Sequence, residues 1–242
     1  MLTNQKSTKW APLRLAATLP LLAVVVAVFS FTKKPTDGPE PKSSETVTVV
    51  IDAGHGGSDR GVLSASGIME KDITLAIAKL VKEQAATRNL RVILTREGDE
   101  LPVPGNVNAS LKKRAALAAT NDAGLFVSLH VSASPEDREA SMSGFHAIVP
   151  NGAGPRLEKS RQLGSALLAG LAPLGLPVEN KLFQQEANSV YVLEKNAAPS
   201  VLLEMGYLTS PTDQAFITNV ANRQKIAAAI LDGIVAYSQQ IP

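Results

Sequence analysis

Two hydrophobic periods take turns along this chain, and their order predicts its architecture. Residues 46–53 are a mostly apolar, β-branched run ending in a glycine-rich turn, the pattern of a buried strand. Residues 70–88 instead repeat Ile73, Ile77, Leu80 and Val81 at i, i+4, i+7 and i+8, one stripe of a helix. Further strands are expected at 91–96, 125–130, 145–149, 190–193 and 200–205. Helices are expected from a Ser110 cap to about Asn121, over 156–171, from Pro211 for a short stretch, and over 223–238. In the last of these Ile226, Ile230, Ile234 and Val235 form the inward face. Strands alternating with helices predict a single α/β domain whose mainly parallel central sheet, of about six strands, is flanked by helices on both faces.

The N-terminus follows a different pattern. Lys6, Lys9 and Arg14 precede Leu15–Thr32, roughly eighteen uncharged residues with Pro20 among them. A basic flank before an apolar run marks residues 1–31 as a signal peptide or an N-terminal membrane anchor, and its borderline length leaves both readings open. Either reading exports the rest of the chain to the periplasm or cell envelope, held at the inner membrane by residues 15–31 if the segment is retained. Residues 32–45 are proline-rich and charged, which suits an extended linker spanning on the order of 40 Å. The folded domain is expected over 46–241.

Composition narrows the chemistry. A net charge of +2 over 242 residues gives no electrostatic footprint for nucleic acid. The absence of cysteine excludes disulfides, thiolate metal ligands and lipid-modified cysteine, leaving histidine and carboxylate as the strong metal ligands. The chain has only three histidines. His55 sits in the glycine-rich turn after the first strand, and His130 ends the run 125–130. Such strand tips line the crevice where open α/β sheets bind ligands. Glu70 opens the first helix. Two histidines and a carboxylate leave a coordination position free, as in catalytic rather than structural zinc sites.

Other readings stay open on these residues alone. A histidine at a strand end can be a hydrogen-bonded core residue, and a glutamate at a helix start can serve the dipole. The turn Gly54-His-Gly-Gly-Ser-Asp59 could be merely tight or cradle a phosphate, although it lacks the third glycine of the dinucleotide fingerprint. Glu204 interrupts the apolar run Ser200-Val-Leu-Leu-Glu-Met-Gly206, and a carboxylate there needs a partner or a task. It could be salt-bridged to Arg96 or Arg114, or act as a general base beside an open metal. The two arginines could equally bind a substrate carboxylate. His146 is not expected to be a ligand.

Taken together, Ile51-Asp-Ala-Gly-His-Gly-Gly-Ser-Asp-Arg-Gly61, Gly67-Ile-Met-Glu-Lys-Asp72, Leu94-Thr-Arg96, Ser128-Leu-His130 and Leu202-Leu-Glu-Met-Gly-Tyr-Leu-Thr-Ser210 resemble the zinc-dependent N-acetylmuramoyl-L-alanine amidases of bacterial cell-wall remodelling. The resemblance covers about residues 47–238 with its motifs in order. It implies a peptidoglycan hydrolase, an autolysin that cleaves the amide between N-acetylmuramic acid and the L-alanine of the stem peptide. It also implies Zn2+ held by His55, Glu70 and His130, with Glu204 as the catalytic carboxylate. Two departures bear on this. Ser132 stands where the family usually has asparagine. The gap from Ser132 to Ser143, with Pro135 near its start, is too short for the zinc-blocking helix of some members, so no activator protein is expected. A non-catalytic peptidoglycan-binding module and another zinc peptidase of similar build remain as rivals.

Overall fold

Strand β1 (Val47–Ala53) lies between β2 (Leu90–Leu94) and β3 (Leu125–Ser132), and β5 (Ser200–Tyr207) follows β3, all four parallel. A short antiparallel strand, β4 (His146–Ile148), completes the order β2-β1-β3-β5-β4. The helices are α1 (Glu70–Ala85), α2 (Val107–Thr120), α3 (Pro155–Leu171), α4 (Tyr191–Glu194), α5 (Pro211–Thr218) and α6 (Val220–Ser238). These elements come from a computed structural model that describes residues 46–134, 142–184 and 190–240. The expected signal or anchor and the linker lie outside the described residues, as does much of the segment after His130.

Strand alternation sorts the side chains. Val49, Ile51 and Ala53 of β1, Leu125, Val127 and Leu129 of β3, and Val201, Leu203 and Met205 of β5 point to one face and are buried. That face is covered by Ile73, Ile77 and Val81 of α1, Leu163, Leu167 and Leu171 of α3, and Ile226, Ile230 and Ile234 of α6. The opposite face carries Val50, Phe126, Ile148 and Leu202, packed with Ala118 of α2 and with Val192 and Leu193 of α4. Towards the C-terminal ends of the parallel strands this second face turns polar. Asp52 pairs in register with Ser128, and one step further His130 pairs with Glu204, which pairs with His146. The polar end of an otherwise apolar face is where a site can form.

Two expectations are corrected. The sheet has five strands among the described residues, not six, because residues 190–193 enter the helical turn α4. The amides of Leu193 and Glu194 bond the Val190 carbonyl, and the side chains of Val192 and Leu193 join the α2 cluster rather than a ladder. A four-residue apolar run does not by itself distinguish a strand from a buried turn of helix. Helix α2 starts earlier than expected: Asn106, not Ser110, is its cap, accepting a hydrogen bond from the Ala109 amide. Ser110 is buried one turn in, where its hydroxyl exchanges hydrogen bonds with the backbone of Val103.

Candidate active site

The site begins where β1 runs out. The Gly54 amide donates to the Leu129 carbonyl at 3.1 Å, extending the β1–β3 pairing by one residue beside His130. A Cβ at position 54 would lie 2.6 Å from both Cε1 and Nε2 of the His130 ring and from the Leu129 carbonyl oxygen. Only glycine leaves the imidazole its place. Gly54→Ala is therefore expected to displace His130 and weaken metal binding roughly 10–100-fold, measured by competition with a chromogenic chelator. Unchanged affinity would show that the ring has room to retreat.

His55 follows in the left-handed region, at φ 62°, uncommon for a residue with a side chain. Its Nδ1 is 2.8 Å from Asp59 Oδ1, which also accepts from the Gly61 amide at 3.2 Å. A carboxylate on Nδ1 leaves Nε2 with the free lone pair, and Nε2 lies 3.1 Å from Glu70 Oε2. Glu70, the first residue of α1, is buried and held from several sides. Its Oε2 accepts from the Val62 amide at 2.9 Å; its Oε1 accepts from the Val131 amide at 2.9 Å and lies 2.8 Å from His130 Nδ1. Burial alone would raise the Glu70 pKa, but hydrogen bonding to His130 and His55 holds it well below the usual carboxylate range. The two imidazoles meet edge to face, centroids 4.8 Å apart. One ligand atom from each of His55, Glu70 and His130 lies within 4.8 Å of the others, and the group could hold a metal ion.

Glu204 faces this trio from β5, its Cα paired with that of His130. Its Oε2 is buried without a hydrogen-bond partner among the described residues. Burial, and secondly the Glu70 charge, push its pKa up to about 8. With His55, Glu70, His130 and Ser132 it lines a cleft of ≈ 470 Å³. Two imidazoles, one ionised carboxylate, open space above them and an orphaned carboxylate oxygen across the gap form a donor set that fits a divalent cation preferring N and O ligands.

The arginines are structural. Arg114 donates from Nε and Nη2 to the two carboxylate oxygens of Asp52, each at 2.7 Å. Thr95 and Ser128 hydroxyls also donate to Asp52. Burial would raise the Asp52 pKa, but the charge and hydrogen bonds of Arg114 hold it near the bottom of the range, at about 2. Arg96 spends its guanidinium on the carbonyls of Ala53, Gly54, Lys71 and Gly98, clamping the turn that carries His55. Neither arginine meets Glu204, so the salt-bridge reading of that residue falls. Asp59 was not singled out from sequence, although its place four residues after His55 in a turn was a usable signal.

Residues 49–236 match the family model described as N-acetylmuramoyl-L-alanine amidase. The chain belongs to that family. It is 28% identical over 266 residues to the N-acetylmuramoyl-L-alanine amidase AmiA of Escherichia coli (strain K12), covering 92% of this chain and 88% of AmiA. Among solved structures, the N-acetylmuramoyl-L-alanine amidase from Clostridium difficile 630 superposes with a TM-score of 0.70 at 27% identity, over 82% of this chain and all of that one. The CwlD amidase from Clostridioides difficile, solved in complex with the GerS lipoprotein, gives the same TM-score at 30% identity over 79% of this chain and 98% of its own. The family is one of hydrolases, and the motif resemblance is thereby answered at the level of family and reaction class.

Proposed function

We propose that this chain is an exported zinc enzyme that hydrolyses the amide between the lactyl group of N-acetylmuramic acid and the first L-alanine of the stem peptide, with His55, Glu70 and His130 as metal ligands and Glu204 as general base. The observation that carries the reading is the buried Glu204 Oε2, without a hydrogen-bond partner among the described residues, on a side chain that shares one cleft with the His55–Glu70–His130 trio. Zinc bound there supplies Lewis acidity towards a substrate carbonyl and lowers the pKa of water towards ~7. Asp59 fixes the tautomer and orientation of His55, and the Val62 and Val131 amides fix Glu70. Glu204 takes the proton of the attacking water and hands it to the departing alanine amine. A neighbouring cation favours the ionised form of Glu204, which its burial alone disfavours.

The test is mass spectrometry of digested sacculi with metal analysis of the same protein. Released stem peptides with free alanine amines support the reading; cuts within the stem that leave alanine on the sugar would favour a zinc peptidase, and binding without release a non-catalytic module. Residues 1–31 serve as the export segment, cleaved or retained, and 46–241 as the catalytic domain. The short segment between Ser132 and Ser143 supports activity without an activator. The purified chain is expected to release stem peptides on its own, and turnover that begins only when a partner such as a lipoprotein is added would overturn this.

A further inference from the structure

A second cavity, of ≈ 410 Å³, opens on the same face of the sheet next to the metal cleft. Strand register joins the two: Glu204 and Ser132 line the cleft, and their paired residues His146 and Tyr207 line the cavity. Its walls are rings. His146 stacks on Tyr207 with centroids 5.6 Å apart and meets Phe183 edge-on at 5.7 Å. Phe183 is held in place because its amide and carbonyl bond the backbone of Ala147 and Val149 beside it. Tyr207 Oη lies 3.3 Å from His146 Nδ1. Burial and the Glu204 charge keep the Tyr207 hydroxyl protonated, its pKa pushed up to about 12, while burial keeps His146 neutral, its pKa brought down to about 4. In the tautomer whose Nδ1 accepts from that hydroxyl, the neutral imidazole carries its proton on Nε2.

The cavity thus presents the edge of a neutral imidazole among aromatic faces, with the Glu179 carboxylate and Gln184 amide also in its lining, no lysine or arginine among its described lining residues, and the Lys181 Nζ 6.0 Å from the Phe183 ring centroid. This selects between the two halves of the substrate. The stem peptide brings carboxylates, whose burial without a cation is costly. The muramyl ring in amide linkage is uncharged, with C–H faces suited to aromatic walls, an acetamido carbonyl suited to a neutral N–H donor, and a hydroxyl that can donate to a carboxylate. We propose that this cavity is the subsite for the N-acetylated pyranose of the muramyl residue, with Phe183 and Tyr207 against the sugar faces and His146 Nε2–H donating to the acetamido carbonyl. The inference rests on the amidase reading and deepens it: the glycan side of the scissile amide lies towards β4.

The experiment compares two substrates and two variants of the full chain, His146→Ala and Phe183→Ala. One substrate is a disaccharide tetrapeptide; the other is the same tetrapeptide carrying a lactyl amide without sugar. The variants are expected to raise KM for the sugar-bearing substrate on the order of 10-fold, with kcat far less affected and a much smaller loss on the sugar-free one. In parallel, saturation-transfer NMR with N,N′-diacetylchitobiose, which has no scissile lactyl amide, is expected to show contact with the acetyl and ring protons, lost in Phe183→Ala. Equal losses on both substrates, or binding of free tetrapeptide in place of chitobiose, would overturn the assignment. Absence of turnover of both substrates by the unmodified chain would count against the amidase reading instead, and the chitobiose measurement judges the subsite independently of it.

Discussion

Glu204→Gln is expected to bind a full equivalent of metal and to turn over ~10²–10⁴-fold more slowly than the unmodified chain. Glutamine fills the same space and cannot accept the water proton. Metal stoichiometry by elemental analysis and kcat on purified sacculi check the two halves of the statement separately. The stability effect has a definite sign. The folded-state pKa of Glu204, about 8, lies above its usual 4.5, so the folded protein binds the extra proton between those values. Stability of the metal-free protein falls as pH rises from about 4.5 towards 8, and the neutral amide removes that loss. Metal-free Glu204→Gln should therefore melt above the metal-free parent at pH 7. Loss of metal in this variant would make Glu204 a ligand and end its assignment as base.

Glu70→Ala should do the reverse and empty the site. The carboxylate is the shared partner of His55, His130 and the amides of Val62 and Val131, so its removal takes away one proposed ligand and the acceptor of a buried amide, Val131, and of a half-buried one, Val62. The expected cost is about 3 kcal/mol of folding stability, from orphaned donors around a deleted buried charge. Turnover should drop to background. Adding zinc at ~100 times its dissociation constant should stabilise the parent by about 2.7 kcal/mol and leave the variant's melting temperature unmoved. Retention of one metal per chain in Glu70→Ala would show that the ion sits elsewhere.

Most of the scaffold was legible because its elements are long and strongly periodic. The stripe of α1 and the β-branched run of β1 survive in the structure with their ends moved by a few residues. His55, Glu70 and His130 could be picked out because a scarce residue type stood at strand tips and an acid stood at a helix start. Glu204 stood out as the one charge in an apolar strand. What stayed hidden depends on contacts between distant segments. Nothing near Arg114 points to Asp52, 62 residues away, or turns Arg96 towards the carbonyls after β1. Gly54 looks like any turn glycine until the His130 ring is seen beside it. His146 had no visible role because its neighbours Glu204 and Tyr207 arrive through the order of strands, in which β4 sits next to β5 rather than β3. The 190–193 error has a local cause: four apolar residues are too few to show a period.

The arrangement of His130, Glu204 and His146 in one transverse line depends on counting. Side chains in a strand alternate, so a deletion or insertion of one residue upstream within β5 would turn Glu204 inward towards α1 and α6 and put Leu203 or Met205 in its stead. No change of side-chain type at a neighbouring position could repair that inversion. Length drift among descendants of this chain should then be confined to the connections and barred from the strand interiors, even where nearly every residue between them is free to vary.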